Sequence, residues 1–232
     1  SARTAMIINF RRQLVHLNTY DGVIRHSVQL CARQLKEAGV TCTLIEQNRI
    51  MSGVSGRTTA KITAQHGLIY QKLIRSIGTE GATQYYRANA EAAERLKELC
   101  RRFGVPMEEK NNFVYSSSRQ KLGEELSALH KLGIPAIFEE SPPLPISTAG
   151  AVGIPGQAQF HPLKLAEQLV KDLTIYENSR VTELIGTTAK TENGNIQAKK
   201  IVVATHFPFL NKHGCYFLKL YQHRSYLLAL EN

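Results

Sequence analysis

The stretch Gln34-Leu35-Lys36-Glu37-Ala38-Gly39-Val40-Thr41-Cys42-Thr43-Leu44-Ile45-Glu46 constrains this chain more than any other. It runs from a helix end through a glycine stop into an apolar strand with an acidic residue at its tip. That order is the second half of a dinucleotide-binding βαβ unit, in which the acidic residue accepts hydrogen bonds from a ribose. The first half is not matched. Such a unit needs a preceding strand and a G-x-G-x-x-G turn whose backbone amides reach a pyrophosphate at the helix N-terminus. Counting back from Glu46 by about 20 residues, the spacing of the fingerprint, reaches Gly22-Val23-Ile24-Arg25-His26-Ser27-Val28, which holds a single glycine. The acidic hook is present and the phosphate cradle is not.

With 232 residues, 43% of them hydrophobic, the chain can bury one large core or two small ones. Its net charge of +10 raises nucleic acid as a partner. The basic residues come in pairs, such as Arg11-Arg12, Arg101-Arg102 and Lys199-Lys200, with no run of five and no interleaved aromatics, which argues against a nucleic-acid-binding module. A bound bis-phosphate would account for part of the excess. Cys31, Cys42, Cys100 and Cys215 form no C-x-x-C pair, so a reducing, cytoplasmic compartment is expected. No apolar run reaches the roughly 18 residues of a membrane span, and no secretory signal order opens the chain. His206 and His213 lack a third ligand nearby, so no metal site is expected.

Along the chain, residues 1 to about 26 carry no sustained period and look unlike the rest. From Ser27, Cys31, Leu35 and Ala38 share a helical face, and Gly39 stops it before the strand Val40 to Glu46. A polar Gly/Ser/Thr loop follows to Lys61. Apolar stripes at Leu68–Ile77 and Ala92–Phe103 predict two helices, the second ending at Gly104. Phe113-Val114-Tyr115 predicts a strand, Leu122, Leu126 and Leu129 a helix stopped at Gly133, and Ala136 to Glu139 a short strand. Ser141 to Pro145 reads as an extended connector. Pro162 suits the first position of a helix with Leu163, Ala166, Leu169 and Val170 on its apolar face. Strands are predicted at Thr174–Leu184, Lys200–Ala204 and Ser225–Leu230, with a hairpin turn at Glu192-Asn193-Gly194-Asn195.

Several phrases together resemble one family. They are Thr43-Leu44-Ile45-Glu46, Tyr176 to Leu184, Ile201-Val202-Val203-Ala204-Thr205, the loop Ser52 to Lys61, Ala64-Gln65-His66-Gly67-Leu68-Ile69-Tyr70, Gln157-Ala158-Gln159-Phe160-His161-Pro162, and Ala204 to Leu210. They are similar to the flavin-dependent oxidoreductases of the D-amino-acid oxidase and glycine oxidase superfamily, in the bacterial branch whose longer members carry a C-terminal Rieske domain. The resemblance covers about Cys31 to Glu231. It implies an α/β fold, a Rossmann-like FAD-binding domain with a partial α+β substrate domain, and oxidation of an amine or amino acid by transfer of hydride to the flavin. The domains implied are residues 27–75 with 153–210 for FAD, and 76–152 with 211–232 for the substrate part.

The resemblance also implies roles. Glu46 would bind the adenosine ribose, with Arg49 over the adenine or against phosphate. Ser55, Thr58, Thr59 and Lys61 would follow the pyrophosphate and the flavin edge. His66 and Gly67 would approach the flavin ring, the backbone of Val181 would read the adenine edge, and Ala204 and Thr205 would close over the ribityl chain. No residue is assigned to the catalytic step.

Two departures temper this. Run back ungapped, the three fingerprint glycines fall at Val23, Arg25 and Val28, where side chains occupy the space a pyrophosphate needs. A shifted reading frame, a fusion or a degraded gene would each produce so abrupt a switch. The chain also ends just after Arg224–Leu230, where family members continue, so a fragment of a longer enzyme is expected. The competing readings are a non-catalytic remnant with weak adenine-nucleotide binding, in which FAD is lost, and, less favoured, the basic module. The candidates for the preceding central strand are Met6–Phe10, too distant for a tight strand-to-helix turn, and Gly22-Val23-Ile24, too short and followed at once by Arg25 and His26. Residues 1 to about 20 are therefore expected to be poorly packed or a peripheral arm, with Val40–Glu46 lying beside Lys200–Ala204 or an imperfect strand near Val23.

Overall fold

The computed structural model describes residues 4–9, 27–52 and 58–204. In chain order the elements are β1 (Thr4–Asn9), α1 (Ser27–Glu37), β2 (Thr41–Glu46), β3 (Lys61–Ile62), α2 (Tyr70–Arg102), β4 (Met107–Tyr115), α3 (Arg119–Lys131), β5 (Ile137–Glu139), β6 (Ala151–Phe160), α4 (Pro162–Val170), β7 (Thr174–Tyr176), β8 (Val181–Ile185), β9 (Thr188–Thr191), β10 (Gly194–Gln197) and β11 (Lys200–Val203). Contacts divide them into two compact units, one holding residues 4–9, 27–52 and 166–204, the other residues 58–165.

The first unit is built on a parallel sheet in the order β11-β1-β2-β7. Strand β2 is buried along most of its length, as a parallel strand with both faces covered must be. Helix α1 packs Val28 and Ala32 on Cys42 and Leu44. Its end is closed by the Gly39 N–H donating to the Lys36 carbonyl and the Val40 N–H to that of Leu35, the paired bonds of a helix stop. Strands β8, β9 and β10 form a separate antiparallel sheet, with β9 and β10 joined at the expected hairpin turn.

Three expectations are corrected here. Residues 4–9 are no peripheral arm: Met6-Ile7-Ile8 lies at the centre of the parallel sheet, paired on one side with Ile201–Val203 and on the other with Thr43–Ile45. It follows that β2 does not lie beside β11, since β1 separates them, and the neighbours of β2 are β1 and β7. The run is the short β-branched segment that a central parallel strand requires, and the tight strand-to-helix turn assumed in the sequence reading is not a condition of that pairing. The predicted strand Thr174–Leu184 is also two strands in different sheets. It breaks at Asn178, whose φ of +50° is a conformation asparagine tolerates, and whose N–H donates to the Asn48 carbonyl at 2.9 Å.

The second unit centres on β6, which pairs antiparallel with β4 along one edge and with β3 and β5 along the other. Sequence reading missed β6 because Gly153, Pro155 and Gly156 interrupt it. The register explains how a proline enters a central strand. Lys110 pairs with Gln157 and Asn112 with Ile154, so β6 carries an extra residue around Pro155, a bulge where no ladder donor is needed. The two predicted helical stripes form one long element, α2, broken at Gly78, whose φ of +74° and ψ of 172° leave the helical region. Tyr70, Leu122, Leu129, Ile134, Val152 and Ile154 form the core between helices and sheet. Residues 205–232, with the predicted strand Ser225–Leu230, lie outside the described residues.

Gly150 tests this packing. Its φ is +116°, and a Cβ there would stand 2.6 Å from the Phe138 ring and 2.8 Å from the Glu139 carbonyl oxygen. Gly150→Ala is expected to cost about 2–4 kcal/mol through strain and overpacking. Urea unfolding checks it, and a loss below about 1 kcal/mol would show that the β5–β6 turn can shift freely.

Candidate functional site

In the parallel sheet the chain proceeds from β1 outward through β2 and β7, then returns to the other side of β1 as β11. Ligands of open α/β sheets bind beyond the carboxyl ends of the strands at such a reversal. Glu46 is the last residue of β2, in register with Asn9 at the end of β1, and is only 5% exposed. Its Oε1 accepts the Asn48 N–H at 2.9 Å, which bends the chain away from the strand tip. The turn is clasped from the β7–β8 connection: Ser179 N–H donates to the Glu46 carbonyl at 2.9 Å, and Glu177 Oε1 accepts the Ile50 N–H at 2.7 Å. Arg49 is 80% exposed with its Nε 3.9 Å from Glu177 Oε2.

Val181, 1% exposed, opens β8 with its side chain packed on Ile45, Ala189 and Ala198. Any polar contact it makes must therefore be through its backbone. Ala204, just past β11, packs half-buried against the Val28–Leu44 cluster. Val28, where an ungapped match would put the third fingerprint glycine, is 5% exposed in that same cluster. A valine side chain therefore fills the helix–sheet contact that a glycine would leave close and bare.

In the other unit, residues 58–67 run through β3 toward α2. Thr58 Oγ1 accepts the Ala60 N–H at 3.2 Å, so this hydroxyl already shapes its own loop. Ala60 is buried with φ of +53°, a strained value for a residue with a Cβ. Thr59 and Lys61 are exposed. The loop after β3 is held from several sides. Gln157 Oε1 accepts the Ala64 N–H at 2.9 Å, and the Tyr70 hydroxyl donates to the Ala64 carbonyl at 2.5 Å. Gln65, 3% exposed, donates to the Val152 carbonyl and accepts from Asn112 Nδ2, both at 2.9 Å. His66 Nδ1 shares a hydrogen bond of 2.9 Å with the Tyr85 hydroxyl, and Gly67 has φ of +96°.

The structure thus brings Glu46, Arg49, Val181 and Ala204 into one unit and Thr58, Thr59, Lys61, His66 and Gly67 into the other. Ser55 and Thr205 lie outside the described residues. Sequence reading gave no role to Gln65, Asn112, Tyr85 or Gln157, which fix the loop carrying His66. The signal was partly available, because the phrases around Gln65 and Gln157 were both singled out, and β3–β6 pairing sets them side by side.

Comparison with known proteins shows the family and the fold. The family model described as FAD dependent oxidoreductase matches residues 30–232. A Bacillus subtilis (strain 168) protein named for a Rieske 2Fe-2S iron–sulfur centre is 34% identical over 215 residues, covering 86% of this chain and 42% of that protein. Among solved structures, glycine oxidase from Geobacillus kaustophilus superimposes with a TM-score of 0.63 at 17% identity, over 88% of this chain and 56% of its own. L-amino acid deaminase from Proteus vulgaris gives 0.58 at 14% identity, over 89% of this chain and 48% of its own. The chain therefore spans about half the length of the relatives it matches. With the family model covering most of its residues, the chain belongs to the D-amino-acid oxidase-type family of FAD-dependent oxidoreductases.

Proposed function

We propose that this chain supplies the FAD-binding part of an oxidoreductase acting on a small amine or amino acid, with Glu46 holding the adenosine ribose. The observation that carries the reading is the placement of a buried carboxylate at the carboxyl end of β2, one strand from the point where the parallel sheet reverses. A carboxylate there accepts two hydroxyl donors with charge-assisted strength. This adenosine end fits the cofactor by its donor and acceptor chemistry. The phosphate end lacks the fingerprint glycines, and the described member of that set, Val28, is packed as core.

Under this reading Arg49, 3.9 Å from Glu177 Oε2, turns toward a phosphate, and the Val181 backbone and Ala204 border the nucleotide; for Thr58, Thr59 and Lys61 the family resemblance supports a role toward the pyrophosphate and flavin edge. For His66 and Gly67 at the flavin ring, and for Ser55 and Thr205, the support is likewise the family resemblance. Bound FAD would accept the two electrons and the hydrogen that leave the substrate carbon. The buried thiols of Cys42 and Cys100 are in keeping with a reducing, cytoplasmic setting.

The substitutions at the glycine positions favour a second reading, a non-catalytic remnant that retains only adenine-nucleotide affinity. Titration with ADP tests the shared step of both. Glu46→Ala is expected to weaken ADP binding about tenfold or more, the worth of one or two charge-assisted bonds. Unchanged affinity in that variant would mean that Glu46 serves only the Asn48 turn. The visible spectrum of protein saturated with FAD, followed on addition of amino-acid substrates, separates the two readings by bleaching in the first alone.

A further inference from the structure

Among the described residues, two buried amide oxygens have no hydrogen-bond partner: Gln29 Oε1 and Gln47 Oε1. Gln29 is 3% exposed, in the first turn of α1, and Gln47 directly follows Glu46. The Gln29 Nε2 group lies 4.0 Å from the Met51 sulfur, so its amide sits between the first turn of α1 and the turn after β2. Thioether sulfur is a weak acceptor, which leaves the whole side chain poorly satisfied. Buried polar atoms are otherwise almost always paired, and one left without a partner costs stability. A leucine or methionine would fill the same space without that cost.

Both orphans are acceptors, and so is the Glu46 carboxylate between them in sequence. The two orphaned oxygens, which flank that carboxylate in sequence, call for donors. A phosphate, which carries acceptor oxygens, is the wrong complement, whereas a ribose diol or an exocyclic amine is the right one. From this we infer that Gln29 is a further nucleotide-binding residue, its Oε1 accepting a hydrogen bond from a donor on the adenosine half of the cofactor beside Glu46. The inference rests on the adenosine-site reading above and adds a residue to it that the glycine fingerprint does not contain.

The role makes an unusual pair of demands: Gln29 should cost stability in the empty protein and contribute affinity when nucleotide is bound. Gln29→Met, close in volume and without polar amide atoms, separates these. In thermal unfolding of the full chain without nucleotide, Gln29→Met is expected to raise Tm by about 2–4 °C, the change that relief of one orphaned acceptor gives in a protein of this size. In calorimetric titration the same variant should bind ADP about tenfold more weakly than the parent chain. Gln29→Leu, branched and of similar size, should repeat both shifts. Unchanged ADP affinity in the Gln29 variants, alongside weakened binding in Glu46→Ala, would overturn the inference and leave the adenosine site standing. A parent chain that binds no ADP at millimolar concentration would overturn both. A fall in Tm with unchanged ADP affinity would make Gln29 a packing residue only.

Discussion

Purified as given, the chain is expected to be colourless or nearly so, with well under one FAD per molecule. In a Rossmann-type site the glycine turn brings several backbone N–H groups against the pyrophosphate, each worth about 1.5–3 kcal/mol when the acceptor is charged. Run back ungapped from α1, those positions fall on Val23, Arg25 and Val28. Losing even two such bonds weakens binding by about two to four orders of magnitude, from a cofactor that survives chromatography to one that does not. What remains is the adenosine grip proposed for Glu46. The expected profile is therefore no flavin absorbance after desalting, together with measurable ADP or FAD affinity by titration. A yellow preparation with one flavin per chain would show that residues 10–26 build a phosphate cradle by other means.

How much of this could be read from the sequence depended on whether local rules and tertiary context agreed. The helix–glycine–strand–acid order at 34–46 was legible because each signal is local. The stop at Gly39, the β-branched run and the terminal carboxylate need no knowledge of the rest of the chain, and all three lie where they were expected. The helix start at Pro162 and the hairpin before Gly194 were legible for the same reason.

Strand β1 was not, because Met6-Ile7-Ile8 identifies itself as central only through its partners, β2 and β11, the latter nearly 200 residues away in sequence. Nor was β6, whose proline looks disqualifying until the bulge opposite Lys110 and Asn112 is known. Within the candidate site the acidic hook could be read and its supports could not. Glu177, Asn178 and Ser179, taken together as the middle of one strand, instead form the clasp that closes the Glu46 turn. Buried amides are similarly silent in sequence. Gln65 in its hydrogen-bonded setting and Gln29 with an orphaned oxygen look like any surface glutamine until burial is known.

Glu125 carries the largest stability effect expected of any side chain described. It is 1% exposed on α3, between Leu122 and Leu129 on the buried face. Helix α2 begins without a side-chain cap of its own, and Glu125 supplies one from another helix. Its Oε1 accepts the N–H groups of Ile69 and Tyr70 at 2.9 Å each, and Oε2 accepts that of Gln71 at 3.0 Å. A carboxylate at that position also meets the positive end of the helix dipole. Glu125→Ala removes the acceptor of three backbone donors, one buried and two part-buried, and should cost about 3–5 kcal/mol at neutral pH, read as a fall in the urea midpoint at constant slope. Burial pushes the Glu125 carboxyl above its ordinary value of 4.5, and the three backbone N–H bonds only partly offset that. The folded state therefore holds this proton to higher pH than the unfolded chain does. The stability linked to it is fully present below the unfolded value and is lost as pH rises through the raised one. Glu125→Gln cannot titrate, and its amide sets a donor against the Gln71 N–H. Relative to this variant the parent chain should be most favoured in acid and lose part of that advantage as pH climbs above 4.5. A stability difference between the two that stays flat from pH 4 to 8, or an alanine variant within about 1 kcal/mol of the parent, would mean that α2 finds its cap elsewhere.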